Sequence, residues 1–504
     1  MYPLRDYQSK VIRDTYNLVR QKVKRILIFA PTGAGKTIIA TKIVSDAVSR
    51  NRQVLFVVHR EVLISQTFNK FSSAGLRCGF IKAGWTEDKN ALVQIASVQT
   101  LSKREDWQQL NFEVIIFDEC HSVAFYAVCK QMMAKIFPDA IYLGLTATPW
   151  RLSKKESLGD VYSGLVCAPK PKELIEAGFL VKPSYYHLEF DVNLNDIDLL
   201  NGDYNTLSLS NVCNRPELIE QLCNAWFDLA YGRATIAFAI DVPHAKHIAR
   251  AFKNHGISSA VVTGQTPIKV RNKLYQRLTE GTLKVLASCD ALSEGFDVPR
   301  VSCVLLARPT KSKALYFQQL GRGLRLASKK RDCLVLDLAK NVLEHGFIED
   351  LEDIELFSSC DRQQSNNSSP PLKVCPRNNG GCGAYIYSFY LKCPHCKYNF
   401  ELQKLVSVLG SKHLIRDEDR IKLEFYRTKL REAFSNNFAP SWAAMKFKEQ
   451  YEFFPPFDWA RGAIFNHQKT SIAIYTNYLT AIAKRLNKDC DWIDKYLYLE
   501  FGKI

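Results

Sequence analysis

Two series of five short apolar runs, separated by helix-like stretches, constrain this chain more than anything else in it. The first series is Arg25–Ala30 (RILIFA), Val54–Val58 (VLFVV), Val93–Ala96 (VQIA), Val114–Phe117 (VIIF) and Tyr142–Leu145 (YLGL). The second is Thr235–Ala239, Ala260–Thr263, Lys284–Ala287, Cys303–Ala307 and Cys333–Leu336. A strand apolar at successive positions must be covered on both faces, and strands joined through helices run parallel. The pattern predicts two doubly wound α/β domains in tandem, bridged by a less regular Val161–Glu220. A Ser/Asn/Pro stretch, Ser365–Leu372, marks a further boundary.

Of the 504 residues, 47% are hydrophobic and 24% charged, which excludes a mostly disordered chain and supplies several cores. Lys and Arg number 68 against 51 Asp and Glu, a net charge of +17. Such an excess points to a polyanionic partner, nucleic acid before acidic membrane. No run of about 18 uncharged apolar residues occurs, so no membrane span is expected. The opening MYPLRDYQSK has early charge and no apolar core, so no signal peptide is expected. Cys120, Cys129, Cys167, Cys289, Cys303 and Cys333 sit singly in apolar stretches, the usual setting of reduced thiols, and a cytoplasmic location is expected.

The chemistry begins after the first strand, at Ala30, Pro31, Thr32, Gly33, Ala34, Gly35, Lys36 and Thr37. Glycines at these spacings let backbone N–H groups fold around phosphates, and the N-terminus of the following helix adds positive potential. Lys36 is placed to neutralise the β- and γ-phosphates of a nucleoside triphosphate and Thr37 to hold Mg²⁺. The general pattern begins with Gly, where this chain has Ala30. Asp118, Glu119, Cys120 and His121 follow the apolar strand VIIF. A carboxylate at that strand end reaches the same crevice. Asp118 is expected to bind Mg²⁺, and Glu119 to orient and deprotonate a water.

The phosphate loop, DECH and Thr146-Ala-Thr148, in that order, resemble motifs I, II and III of superfamily 2 helicases. Leu4-Arg-Asp-Tyr-Gln8 is similar to that family's adenine-recognising motif, which makes Arg5 and Gln8 cofactor-binding candidates, with Gln8 as the base reader. The run Val57–Gln66 resembles motif Ia and Ser97–Thr100 motif Ib, which implies nucleic-acid contacts at His59, Arg60, Gln99 and Thr100. Ser293–Pro299 (SEGFDVP) resembles motif V, with Gly295 and Asp297 near the nucleotide. Gln318–Arg325 (QQLGRGLR) fits motif VI. Val262-Thr263-Gly264 resembles motif IVa, a backbone-phosphate contact through Thr263 and Gly264. Arg322 and Arg325 lie three apart, on one face of a helix, and are the arginine-finger candidates. His121 and Gln318 are expected to sense the nucleotide across the cleft. Cys289 stands where the family usually has Thr. The resemblance covers roughly residues 1–345. It implies two RecA-like domains, ATP and Mg²⁺ as cofactors, and kinship with restriction-enzyme motor subunits, XPB-like helicases and phage branch-migration helicases. It also narrows the location to a bacterial or phage-infected cytoplasm.

Cys375, Cys382, Cys393 and Cys396 supply four thiolates, enough to close a structural Zn²⁺ site with no open position. His395 is expected to face solvent. Tyr385, Tyr387, Phe389 and Tyr390 between the pairs either pack the ribbon or stack on bases. Residues 373–504 carry 21 Lys/Arg and 13 Asp/Glu, so +8 of the +17 lies there.

The organisation read from the sequence is therefore 1–160, an ATP-binding domain; 161–225, a bridge; 226–350, a second such domain; 351–372, a linker; 373–400, a zinc ribbon; and 401–504, a basic helical DNA-binding tail. The expected activity is ATP-driven DNA unwinding or translocation, acting as a monomer on forked or junction DNA, with no nuclease activity of its own. A duplex translocase, an RNA helicase and an adaptor with a dead motor are the rivals.

Overall fold

The computed structural model describes residues 3–59, 61–82, 85, 88–103, 110–148, 157–188, 194, 197–200, 202–289, 296–351, 354–357, 371–377, 380–400, 417–460, 463–464 and 469–501. The chain divides into two units, 1–369 with 383–385, and 370–382 with 386–504.

The first unit holds two parallel sheets. The first contains β1 (Arg25–Phe29), β2 (Val54–Val58), β3 (Cys78–Ile81), β4 (Val93–Ser97), β5 (Val114–Asp118), β6 (Ile141–Thr146) and β7 (Gly164–Cys167), in the order β3-β4-β2-β5-β6-β1-β7. All residues of β2 and β4 are buried, as expected of strands covered on both faces. One side packs Leu55, Val57, Phe117 and Tyr142 with Phe125, Met132 and Phe137.

Next come β8 (Lys182–His187) and a small antiparallel hairpin, β9 (Leu199–Leu200) and β10 (Asp203–Tyr204). The second sheet combines β8 with β11 (Thr235–Phe238), β12 (Ser259–Val262), β13 (Val285–Ser288), β14 (Cys303–Leu306) and β15 (Asp332–Asp337), in the order β12-β13-β11-β14-β15-β8. Trp226, fully buried, anchors its helical layer and donates Nε1–H to Thr235 Oγ1 at 2.7 Å. The segment 161–225 is more regular than its sequence suggests. It gives β7 to the first sheet beside β1 and β8 to the second beside β15, then the helix Pro216–Ala230 to the second core.

Residues 383–385 also belong to the first unit. His187 N–H donates to Gly383 O at 2.8 Å, and Tyr186 bridges Ala384 in antiparallel fashion. The Tyr385 hydroxyl donates to Asp337 Oδ2 at 3.2 Å and sits 2.8 Å from His187 Nδ1. Asp337 is fully buried at the end of β15, and burial pushes its carboxyl up to about 6 despite N–H donors from Val342, Asn341 and Ala339.

β16 (Leu372–Val374) of the second unit pairs with β17 (Tyr385–Tyr387), of which Ile386 and Tyr387 belong to that unit. Helices Asp417–Ser435 and Pro440–Tyr451 bury Tyr426, Leu430, Ala443 and Phe447. Helices Lys469–Leu486 and Cys490–Phe501 bury Tyr475, Leu479, Tyr496 and Phe501. Among the described residues no helix is long and apolar enough to cross a membrane.

Candidate functional site

The loop after β1 is shaped by its glycines. Ala30 N–H donates to Thr146 O at 2.9 Å and Ala34 N–H to Pro31 O at 3.0 Å. Gly33 and Gly35 have φ of +92° and +86°, where a side chain is strained. Gly35 is the N-cap of helix Lys36–Val48, and no side chain caps that helix. Ile38 N–H donates to Gly35 O at 2.9 Å, which leaves the N–H groups of Lys36 and Thr37 for an anion, as a phosphate cradle requires. The N-terminal motif braces this loop. Gln8, 1% exposed, donates Nε2–H to Ala34 O at 2.9 Å and accepts from Arg5 N–H at 3.0 Å. Tyr7 OH donates to the same carbonyl at 2.8 Å, and Arg5 lies over the Phe179 ring at 4.6 Å. The base-reading candidate therefore also clamps the phosphate loop. Tyr7 and Phe179 are contributors that pattern reading missed. Tyr7 lies inside the LRDYQ run, but nothing local marks Phe179.

Two carboxylates stand at the end of β5: Asp118 is its last residue and Glu119 follows it. Glu119 adopts φ +53°, an uncommon conformation for a residue with a side chain. Its Oε1 accepts from Lys36 Nζ at 2.7 Å, with both side chains largely buried. Its Oε2 accepts no hydrogen bond among the described residues, and His121 Nδ1 lies 3.5 Å away. A buried carboxylate oxygen left open in this way fits a water to be positioned and deprotonated. Burial works against the Glu119 charge. Lys36, then His121 and Arg322, outweigh it and hold the carboxyl down at about 2. Its charge therefore stabilises the fold fully above the ordinary value of 4.5, and that contribution is lost as pH falls from there toward about 2. Glu119→Gln is expected to show a shallower loss of stability across this window. Chemical-denaturation midpoints at stepped pH would reveal it, and superimposable profiles would contradict the pairing.

His121 joins the two sheets. Thr146 Oγ1 gives its proton to Thr148 O at 2.8 Å, so His121 Nδ1, 2.9 Å away, must be the donor to Thr146. Gln318 Nε2 stands 3.2 Å from His121 Nε2. Gln318 lies on helix Lys313–Gly323, which follows β14. Arg322, on the same helix and 7% exposed, donates to Phe296 O at 3.0 Å, and Arg325 to the same carbonyl at 3.3 Å. Arg325 also pairs with Asp297. The helix comes close to the phosphate loop. A Cβ on Gly321 would lie 2.3 Å from Thr32 Cβ. Gly321→Ala is expected to force the sheets apart there, costing about 1–3 kcal/mol and roughly tenfold in kcat/KM for ATP. An unchanged value in steady-state kinetics would refute this.

The nucleic-acid candidates lie at strand carboxyl ends. Gln99 Nε2 donates to His59 O at 2.7 Å, which ties the loop after β2 to the turn after β4, and Thr100 N–H is capped by Ser97 Oγ at 3.1 Å. Thr263 and Gly264 follow β12, where buried Arg271 donates to Thr263 O at 2.9 Å. Arg60 and Gly295 lie outside the described residues.

The Sγ atoms of Cys375, Cys382, Cys393 and Cys396 all lie within 4.8 Å of one another. Cys375 and Cys396 are 3.6 Å apart, and Cys382 and Cys393 3.7 Å. Tetrahedral thiolates around zinc, at Zn–S of about 2.3 Å, stand about 3.8 Å apart. The cluster fits a closed structural site, with exposed His395 outside the set. About one zinc per chain is expected by elemental analysis, falling close to zero in Cys393→Ser. Full zinc content in that variant would exclude this ligand.

Residues 1–151 match the family described as type III restriction enzyme, res subunit, and residues 216–327 the helicase conserved C-terminal domain. The chain belongs to superfamily 2 of the helicases and ATP-dependent translocases. The two sheets are thus its RecA-like domains. The Saccharomyces cerevisiae protein named as an ATP-dependent helicase, IRC3, is 30% identical over 66% of this chain, which spans only 51% of that protein. A 51.5 kDa protein of a Lactococcus phage is 25% identical over 91% of this chain and 98% of its own length. The DNA 3′-5′ translocase XPB2 of Sulfurisphaera tokodaii is 26% identical over 66% of this chain and 81% of its own. The loop before Lys36, the DECH segment and the helix that carries Gln318 and Arg322 thus lie side by side.

Proposed function

We propose that this superfamily 2 chain hydrolyses ATP to move on DNA, unwinding or branch-migrating forked or junction DNA in replication, recombination or repair. The observation that carries the reading is the line Lys36–Glu119–His121–Gln318, which runs from the phosphate loop of one sheet to the arginine helix of the other. Lys36 would meet the β- and γ-phosphates, Thr37 and Asp118 the Mg²⁺, and Glu119 Oε2 the attacking water. Arg322, with Arg325 beside it, would meet the charge that develops on the transferred phosphoryl group. Because these groups come from two sheets, nucleotide binding favours their closure and hydrolysis releases it. Repeated closure displaces the sheets along a bound strand, where His59, Gln99 and Thr100 on one side and Thr263 and Gly264 on the other are the contacts.

DNA as the track is supported by the net charge of +17 and by the printed name of the Sulfurisphaera relative. The word translocase in that name leaves room for a second reading, duplex translocation without strand separation. The test is ATP turnover and strand separation with single-stranded DNA, blunt duplex, fork, four-way junction and RNA. Unwinding concentrated on forks or junctions supports the reading. Turnover on plain duplex without separation favours the second. Stimulation by RNA alone overturns the choice of DNA.

A further inference from the structure

Four aromatic residues lie between the second and third cysteines of the cluster, and the structure divides them. Tyr385 is 2% exposed and committed to Asp337 and His187. Tyr387, Phe389 and Tyr390 instead gather in a stack. The Tyr387 and Phe389 rings are 5.2 Å apart with planes 8° from parallel, and Phe389 and Tyr390 are 4.7 Å apart at 38°. All three are only half-buried, while Cys375, Cys393 and Ile386 fill the interior beside them. The charge on this segment is one-sided. Residues 373–400 contain Lys373, Arg377, Lys392 and Lys397 and no Asp or Glu. Lys392 and Lys397 are exposed. Lys373 Nζ donates to Tyr390 O at 2.5 Å and stands 3.7 Å from the Phe400 ring centre, so it fixes that end of the stack. The charge of Asp491 reaches Tyr390, which makes the Tyr387–Phe389 end the better one for a phosphate chain.

We propose that this aromatic face of the cysteine ribbon is a stacking platform for single-stranded nucleic acid. Parallel, partly exposed rings take a base of any identity, and the exposed ammonium groups of the same segment follow the backbone without reading sequence. An acidic protein would satisfy the lysines but has no use for parallel rings. The proposal rests on the reading of the chain as a DNA motor and adds a contact for the strand beyond the two sheets.

The full-length protein is titrated with fluorescein-labelled oligothymidine and followed by anisotropy. Phe389→Ala is expected to weaken binding about tenfold, whereas Phe389→Tyr retains native affinity. Zinc content and thermal midpoint verify the fold of each variant. Native affinity in a zinc-loaded Phe389→Ala protein overturns the proposal, as does an equal loss on blunt duplex, which offers no open bases. If Phe389→Ala loses its metal, the exposed pair Lys392→Gln and Lys397→Gln decides. Each lysine in contact with phosphate should reduce the slope of log affinity against log salt by about 0.7, and an unchanged slope sinks the idea. Failure of the motor reading looks different. The wild-type chain would then bind oligothymidine while its ATP turnover ignored nucleic acid.

Discussion

Arg322→Ala is expected to lower ATP turnover by roughly a thousandfold at the least, the usual contribution of an arginine finger. The choice between Arg322 and Arg325 follows from their surroundings. Arg322 is buried, and its charge helps to depress the Glu119 carboxyl, so it lies within electrical reach of the catalytic candidates. Arg325 is held by Asp297. Arg325→Ala should therefore cost less than Arg322→Ala. Arg322→Lys should recover little, because an ammonium keeps the charge but loses the planar fork. Single-turnover hydrolysis at saturating ATP is the measurement. A larger loss from Arg325→Ala would exchange the two roles, and a mild loss from both would remove the finger altogether.

Lys36→Ala should reduce turnover by about a hundred- to a thousandfold through the lost charge at the phosphates. It also has a second effect that a simple activity assay would confuse with the first. Lys36 is the principal partner of Glu119, and both side chains are largely buried. Removing one member of such a pair costs about 3–5 kcal/mol, because the other charge is left uncompensated. Lys36→Ala with Glu119→Gln should recover most of that stability and none of the turnover. Denaturant midpoints and hydrolysis rates on the same three proteins separate the effects. Stability left unrestored in the double variant would show that Lys36 supports the fold by some route other than Glu119.

The central strands were legible because they are apolar at nearly every position. VLFVV and VIIF announce burial on both faces without any alignment. Within the two parallel sheets, the three strands that the apolar runs did not mark are all edges: β3 and β7 flank the first sheet, and β8 flanks the second. Their burial alternates or thins out, as at a sheet edge, and KPSYYH also opens with Lys182, Pro183 and Ser184, which break its apolar run. The phosphate loop and the DECH segment were legible for a related reason. Their residues are consecutive, so spacing alone encodes the geometry. Phe179 and the approach of Gly321 to Thr32 were not legible, because each is a contact between residues far apart in the chain. The left-handed backbone of Glu119 was not legible either, because sequence pattern does not report that conformation for a residue other than glycine.

The return of Gly383–Tyr385 to the first unit bears on how such a chain can be cut, joined or inherited. The Ser/Asn/Pro stretch looks like a seam, yet a chain severed there would lose the phenol that meets Asp337 and the carbonyl that meets His187 N–H. Asp337 would keep its burial and lose a donor. A foreign tail grafted at the same point would fit only if it brought a tyrosine at the matching place. The cysteine segment is therefore no interchangeable cassette. Substitutions at Tyr385 and at Asp337 are constrained together, and the partition of this protein into heritable parts runs through a hydrogen bond rather than through its Ser/Asn/Pro stretch.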